Sequence, residues 1–352
     1  MDGSFCGGGA PVSGRDERLF IYRQPRGETD AVAEVLDGLT ASQPRIAAKF
    51  FYDSHGACLF DTITTLPEYY LTRAERDIFQ RHGRVIGEAV DSDCILIEPG
   101  SGSSQKVEML MHAIRPRTYV PLEITESHLL DAANRLVDRY PWLEVHAVCA
   151  DYSGGLPMPV SLPGTGRLVF FPGSTIGNFE PGEAVAFLRH LHAACGPGGS
   201  LLIGVDLRKD ADILNAAYND ADGITARFNL NALTHINGIA DGNFDIDGFR
   251  HVAFFNEMES RVEMHLESRR NQTVTLGGRR LRFDRGDRIH TENSYKYTLE
   301  GFGQLAEAAG FRPREVWHDS DGLFSVHLMD AVEEADPRTG GQDAVPDDSN
   351  NK

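Results

Sequence analysis

The chain of 352 residues is long enough for one large domain with an insertion or for two domains. Hydrophobic residues make up 41% and charged residues 24%, a globular composition that excludes a fibrous or wholly disordered chain. The net charge of −18, with basic clusters no longer than pairs, excludes a continuous cationic track for nucleic acid, and no segment approaches the roughly 20 apolar residues of a membrane span.

The cysteines indicate a reducing compartment. They are odd in number, widely scattered and contain no C-x-x-C pair: Cys6, Cys58, Cys94, Cys149 and Cys195. The first 20 residues also lack an apolar run typical of a signal peptide. We therefore expect a cytoplasmic protein.

The N-terminal segment, residues 15–90, is predicted to be mainly helical. Apolar residues recur at three- and four-residue spacing over 31–39 and 72–90, with Thr72 as the expected N-cap and Glu75 completing a capping box. The aromatic-rich stretch between these helices is, taken alone, a packed connector. The Gly- and Ser-rich residues 1–14 and the acidic residues 333–352 are expected to be disordered.

From residue 91 to residue 206, short apolar runs alternate with amphipathic segments. This alternation predicts a doubly wound α/β sheet, which binds ligands beyond the carboxyl ends of its strands. The alternation breaks over 207–290, where one helix and two strands (SRVEMHLESRR and QTVTLG) are predicted in an inserted substrate-binding unit. Residues 291–332 are expected to return to the core through a helix and two strands.

A glycine loop follows the first strand of this core. Gly100 and Gly102 allow a sharp turn and a close ligand, and the next helix presents unpaired amides. A dinucleotide loop, G-x-G-x-x-G, needs glycine where Gln105 stands, and the Walker pattern is absent. The loop alone fits several nucleotide ligands.

Acidic residues at three successive strand ends narrow the choice of ligand. Glu123 can accept both ribose hydroxyls, and Glu98 lies where the ammonium of a methionine moiety could be recognised. Asp151 offers an acceptor for the adenine amine, and the Tyr152 ring can flank the base. Together they favour S-adenosylmethionine.

Several long motifs make the chain resemble a known family, the ergothioneine-pathway histidine Nα-methyltransferases and the related domain of fungal ergothioneine enzymes. The resemblance runs from about residue 45 to residue 328. It rests on KFFYDSHGACLFDTITTLPEYYLTRAE (49–75), IEPGSGSSQK (97–106), FFPGSTIGN (170–178), AYNDADGITARFN (217–229), RVEMHL (261–266) and TENSYKYT (291–298).

The resemblance implies a Rossmann-like class I methyltransferase core with an added substrate-binding α+β domain. The implied reaction converts L-histidine to trimethylhistidine (hercynine) by three transfers from S-adenosylmethionine, without a metal. A monomer with no nucleic-acid or membrane partner is expected.

The resemblance also implies roles for individual residues. The cofactor would lie against Gly100, Lys106, Glu123, Asp151 and Tyr152, of which Glu123 and Tyr152 replace the family's usual Asp and Phe. For the substrate, Glu292 and Ser294 would bind the imidazole, Tyr69, Asn178 and Tyr218 the carboxylate and amine end, and Tyr52 would orient the amine, while Phe60, Gly173 and Met264 would line the pocket.

These residue types suit the chemistry. A carboxylate and a hydroxyl at i and i+2 of a strand, as at Glu292 and Ser294, can address both imidazole nitrogens from one face. Tyrosine rings attract a quaternary ammonium by roughly 0.5–2 kcal/mol. His190 and His192, two apart on a predicted helix, point to different sides and do not suggest a metal site.

Three alternatives stay open at this point. The first is a methyltransferase of the same fold with another amino acid or amine as substrate. The second is a nicotinamide-dependent oxidoreductase, which the missing third glycine disfavours. The third is a cofactor-binding module without catalysis.

Overall fold

The computed structural model describes residues 12–13, 16–24, 31–152, 154–159, 162, 164 and 166–332. The disorder expected for 1–14 and 333–352 falls almost wholly outside these residues. Within the first stretch, however, Val12–Ser13 form a short strand that pairs with Ile21 and Phe20.

A sheet of nine strands forms the centre of the described chain. In spatial order the strands are β1 (Val12–Ser13), β2 (Leu19–Arg23), β5 (Glu144–Cys149), β4 (Thr118–Glu123), β3 (Ile95–Pro99), β6 (Arg167–Phe171), β7 (Ser200–Asp206), β14 (Phe324–Ala331) and β13 (Phe311–His318). From β2 to β7 every pairing is parallel, whereas β14 is antiparallel to both of its neighbours. The carboxyl ends of the parallel strands therefore share one edge.

Helices cover both faces of this sheet. The helices of the chain are α1 (Ala31–Thr40), α2 (Ser54–Ile63), α3 (Tyr70–Glu88), α4 (Gln105–Ile114), α5 (Glu126–Arg139), α6 (Pro181–Cys195), α7 (Ala211–Tyr218), α8 (Ile224–Ile239) and α9 (Leu299–Glu307). Successive residues of β3 point to opposite faces. Leu96 packs in a core with α3, α4 and α5, while Ile95 and Ile97 pack in a second core with α6 and α9. The predicted doubly wound α/β sheet is confirmed.

A smaller α+β unit follows β7. Its strands β8 (Phe249–Asn256), β9 (Arg261–Ser268) and β12 (Arg288–Tyr295) form an antiparallel sheet in the order β12-β9-β8, and β10 (Gln272–Leu276) pairs with β11 (Arg279–Phe283) as a hairpin. The two expected strands correspond to β9 and β10. Helix α2 packs against α8, so the N-terminal segment contributes to this unit.

Two local expectations for the N-terminal segment are wrong. Leu19–Arg23 is a strand rather than part of a helical segment, because β5 supplies a parallel partner far along the chain. Helix α3 begins at Tyr70, so Thr72 lies inside its first turn instead of capping it. The Glu75 side chain is 1% exposed and accepts the backbone N–H of Gly173 at 2.6 Å, because the helix turns it toward the core.

No helix in the described part of the chain is both long and apolar enough to cross a membrane.

Candidate active site

A cavity lies between the sheet edge and the smaller unit, and it collects every residue expected to contact the substrate. From the predicted set it is lined by Tyr52, Phe60, Tyr69, Gly173, Asn178, Tyr218, Met264, Glu292 and Ser294. These residues are scattered over more than 240 positions of the chain. The fold therefore brings them together around one cavity. Their roles in binding remain predictions.

Each part of the fold contributes a portion of the wall. Tyr52 follows a 3₁₀ turn at Ala48–Phe51, and Tyr69 precedes α3. A second 3₁₀ turn, Thr175–Asn178, follows β6 and carries Asn178. Tyr218 ends α7. The cavity is therefore assembled from the core, the N-terminal segment and the inserted unit.

Glu292 and Ser294 project from β12 into the cavity, as the i and i+2 spacing predicts. Glu292 pairs with Met264 of β9, just after a register shift that follows His290. Burial raises the pKa of the Glu292 carboxyl to about 7, and the positive charge of Lys296 opposes this rise. A carboxylate acceptor and a hydroxyl thus lie side by side on one wall.

Aromatic rings form another part of the cavity wall. The Tyr52 ring stands edge-on to Phe60 and to Phe228, with centroids 5.8 and 5.6 Å apart, and Phe60 meets Tyr69 at 6.3 Å. Tyr52 remains 43% exposed where it lines the cavity. The pKa of its phenol is nevertheless raised well above the usual value, first because the surrounding protein disfavours the phenolate and second because Glu292 is negative. Tyr52 therefore keeps its proton at neutral pH.

Two residues that were not predicted, Phe228 and Thr225, line the same cavity from α8. Both lie inside the motif AYNDADGITARFN (217–229), so the motif marked the segment without indicating which side chains face inward.

A buried charge network behind the cavity wall was also missed. The Lys296 ammonium donates to Ser294 at 2.6 Å and to Tyr218 at 3.3 Å, and it pairs with Asp206 at 2.7 Å. Asp206, which ends β7, also accepts from Tyr70 and Lys209 at 2.7 and 2.5 Å. The available signal was that Lys296, directly after β12, continues the alternation of Glu292 and Ser294. A lysine at such a position is, however, usually exposed.

The cofactor candidates lie at the carboxyl ends of β3, β4 and β5, which are adjacent in the sheet. Gly100 has a φ of +68°, and a Cβ atom there would lie 2.4 Å from the Tyr152 hydroxyl. Glu123 accepts the backbone N–H groups of Gly102, Ile124 and Thr125 at 3.0, 2.9 and 3.1 Å. A carboxylate has about four acceptor positions, so Glu123 keeps capacity for a ligand hydroxyl.

Glu98 and Asp151 complete this edge. Glu98 is buried and accepts a hydrogen bond from the Tyr119 hydroxyl, and burial raises the pKa of its carboxyl to about 8. Asp151 is exposed two residues after the end of β5, next to Tyr152. The arrangement of three acidic strand ends around a glycine turn fits the polar groups of S-adenosylmethionine.

Lys106 lies between the two sites. Its ammonium pairs with Glu75 at 2.7 Å, and a Cβ atom at Gly173 would lie 2.7 Å from the same nitrogen. Since Gly173 lines the cavity, the Lys106 ammonium lies beside the part of the cavity wall that Gly173 forms.

The model of the family described as "Histidine-specific methyltransferase, SAM-dependent" matches residues 31–331. The chain belongs to this family. It is 40% identical to a histidine N-alpha-methyltransferase of Mycobacterium tuberculosis over 84% of this chain and 93% of that protein, and 41% identical to the one of Mycolicibacterium smegmatis over 85% and 96%. It is 31% identical to ergothioneine biosynthesis protein 1 of Neurospora crassa, over 79% of this chain but 32% of that protein.

Membership of the histidine-specific methyltransferases confirms the S-adenosylmethionine-dependent methyltransferase predicted from the sequence, and it removes the oxidoreductase alternative. Among the described residues, no group of three or more His, Cys, Asp or Glu side chains is arranged to hold a metal ion.

Proposed function

We propose that this histidine-specific methyltransferase transfers three methyl groups from S-adenosylmethionine to the α-amine of L-histidine. The product is trimethylhistidine (hercynine), so the reaction would be the first step toward ergothioneine in a cytoplasmic, monomeric enzyme. The observation that carries the proposal is the placement of Glu292 and Ser294 on one wall of a cavity whose other walls carry three tyrosines and Asn178. The names of the relatives at 40 and 41% identity support the same substrate.

We assign the imidazole to Glu292 and Ser294. A neutral imidazole has one N–H and one nitrogen lone pair. The carboxylate of Glu292 accepts the N–H, and the hydroxyl of Ser294 donates to the lone pair. A hydrogen bond to an ionised group contributes roughly 1.5–3 kcal/mol, so this pair supplies most of the discrimination against apolar side chains.

The amino-acid end is assigned to Tyr69, Asn178 and Tyr218, with Phe60, Gly173 and Met264 closing the pocket around the substrate. Phenols with raised pKa values stay neutral at pH 7 and can donate to a carboxylate. The pKa values of Tyr69 and Tyr218 are raised in this way, first because the surrounding protein disfavours the phenolate. The negative charge of Glu292 raises both pKa values further.

The methyl donor would lie against Gly100, Lys106, Glu123, Asp151 and Tyr152. When bound it would supply a methyl group on a sulfonium. The amine lone pair attacks the methyl carbon opposite the C–S bond, and the electrons of that bond leave with sulfur as S-adenosylhomocysteine. Positioning of the two reactants can lower the barrier by about 7–11 kcal/mol, so the protein needs little further chemistry.

The amine must lose a proton before each transfer, because an α-amine with a pKa near 8 is mostly protonated at neutral pH. Tyr52 retains its own proton and is therefore not the resident base. We assign it to orienting the amine and passing the proton to water. Its ring and those of Phe60 and Tyr69 can accommodate the growing alkylammonium, with about 0.5–2 kcal/mol for each ring face it meets.

The proposal is tested by incubating the purified protein with isotope-labelled S-adenosylmethionine and L-histidine. Mass spectrometry should show histidine with one, two and finally three labelled methyl groups. Competition with the other amino acids and with histamine tests whether a different amine is preferred. If the donor is consumed in methylating another amine while histidine gains no label, that amine is the substrate instead of histidine. If only the dimethyl product accumulates, trimethylation is refuted.

A further inference from the structure

Lys296 is the centre of a hydrogen-bond network that connects two ends of the substrate pocket. An ammonium group has three hydrogens and no acceptor. The three partners of Lys296 are the Ser294 hydroxyl at 2.6 Å, the Tyr218 hydroxyl at 3.3 Å and the Asp206 carboxylate at 2.7 Å. The Lys296 side chain is 0% exposed, so water does not compete for these hydrogens.

We propose that Lys296 is a positioning residue that sets the hydrogen-bond polarity of the substrate pocket, making Ser294 and Tyr218 donors toward the ligand. This inference rests on the proposed function, in which Ser294 meets the imidazole and Tyr218 meets the carboxylate. Lys296 touches neither ligand group itself and acts through the two hydroxyls.

The direction of this effect follows from the chemistry of a hydroxyl. A hydroxyl that accepts from an ammonium is a weaker acceptor and a stronger donor, because the positive charge pulls electron density from its oxygen. Its own hydrogen is left to bond elsewhere. For Ser294 the choices are the neighbouring phenol of Tyr218 or a ligand atom in the cavity. A bound imidazole lone pair takes that hydrogen.

Glu292 and Ser294, two residues apart, therefore have opposite hydrogen-bond polarities on the pocket wall. Glu292 accepts from the ring, while Ser294, polarised by Lys296, donates to it. The combination favours a five-membered ring with one N–H and one lone pair. A pyrrole ring has the same shape and one N–H, but it has no lone pair for Ser294.

Asp206 makes the test possible because it has other partners. Tyr70 and Lys209 donate to it at 2.7 and 2.5 Å, so loss of Lys296 does not leave a buried carboxylate alone. Lys209 also provides a matched control. It is 6% exposed and bonds the same carboxylate, but its other partners are the Tyr70 hydroxyl and the Leu207 carbonyl rather than a pocket hydroxyl.

The experiment compares wild type, Lys296→Met and Lys209→Met by calorimetry. Each protein is first titrated with S-adenosylhomocysteine. The resulting complex is then titrated in separate experiments with L-histidine and with the 2- and 3-linked isomers of pyrrolylalanine. Wild type should bind histidine at least about 10-fold more tightly than either pyrrole analogue. Lys296→Met should weaken histidine binding by about 10-fold or more, weaken pyrrole binding less, and leave S-adenosylhomocysteine within about 3-fold.

Two further results separate positioning from a purely structural role. In a Ser294→Ala background, Lys296→Met should produce no additional change in the ratio of histidine to pyrrole affinity, because the residue through which it acts on the ring is gone. Lys209→Met should keep the wild-type ratio. If Lys296→Met does not fold, Lys296→Gln, which is one bond shorter but still polar, provides the same measurement.

Equal weakening of histidine and both pyrrole analogues by Lys296→Met would overturn the inference, as would the same loss of ratio in Lys209→Met. Failure of wild type to bind or methylate histidine would instead overturn the proposed function. The two failures are distinguishable because the first is measured only on variants of a protein that binds histidine.

Discussion

Replacement of Glu292 by Gln tests the assignment of the imidazole site most directly. The side chain keeps its shape while it loses its charge, and Met264 remains its neighbour across the sheet. A hydrogen bond to a charged acceptor contributes about 1.5–3 kcal/mol and a neutral one about 0.5–1.5 kcal/mol. The difference of about 1–2 kcal/mol corresponds to roughly 5- to 30-fold weaker histidine binding. Cofactor binding should change by less than about 3-fold, because Glu292 lines the other site.

The pH dependence sharpens this prediction. Burial raises the pKa of Glu292 to about 7, so the wild-type acceptor ionises and histidine affinity rises between pH 6 and pH 8. The imidazole of free histidine titrates in the same range and in the same direction. Glu292→Gln retains only the ligand's own titration and should show a shallower rise. The variant should also lose less stability than wild type as the pH rises from about 4.5 through 7, because a raised carboxyl pKa stabilises the fold only while the group is protonated.

The assay is calorimetric titration of L-histidine and of S-adenosylhomocysteine at pH 6, 7 and 8. Glu267→Gln is the control, since this carboxylate lies on β9 but pairs with Arg250 and Arg288 outside the cavity. Equal losses for both ligands in Glu292→Gln, or an unchanged pH slope, would refute the reasoning.

Three other substitutions have definite expected outcomes. Gly100→Ala places a side chain at a left-handed φ of +68° and against the Tyr152 hydroxyl, so affinity for S-adenosylhomocysteine should fall about 10-fold. The control, Gly102→Ala, has similar backbone strain but open space around a Cβ atom, so its affinity should fall less. Equal losses would attribute the effect to backbone strain alone. Glu75→Gln removes the negative charge that pairs with Lys106 and accepts from the Gly173 N–H, so L-histidine and S-adenosylhomocysteine should both bind about 3- to 10-fold more weakly in the same titrations. A loss confined to one of the two ligands would contradict a link between the two sites. Tyr52→Phe should leave histidine affinity within about 3-fold but slow methylation by about 10-fold or more, measured by single-turnover mass spectrometry, and a wild-type rate would remove the hydroxyl from the reaction.

Local patterns were sufficient for the middle of the central sheet. Strands β3 to β7 and the helices between them follow from hydrophobic periodicity, because each element buries a repeating face against its neighbours. The pairing of β2 with β5 was missed, since a five-residue strand has little periodicity and its partner lies far along the chain.

The residues of the candidate site also divide into those that local motifs predicted and those that depend on distant partners. Residues that face the cavity from recognisable motifs could be listed in advance, and all nine substrate candidates line it. Glu75 was misassigned because a local capping rule competes with a tertiary contact to Gly173, which lies 98 residues away. Lys296 and Asp206 were missed because a buried ion pair requires the placement of both partners, and neither position alone predicts burial.

The chain leaves the central sheet and returns to it at the same place. Leu207 and Tyr297 are bridge partners, the Tyr297 N–H donates to the Asp206 carbonyl at 3.0 Å, and the Arg208 N–H donates to the Tyr297 carbonyl at 2.8 Å. The insertion, residues 208–296, therefore begins and ends at adjacent points of the sheet, so the sheet does not constrain its length. A segment of different size or sequence could be grafted between these two anchors with the glycine loop undisturbed. In protein engineering, this junction would be the natural boundary for exchanging the part of the cavity wall that carries Tyr218, Met264, Glu292 and Ser294 while the wall built by the core and the N-terminal segment stays in place.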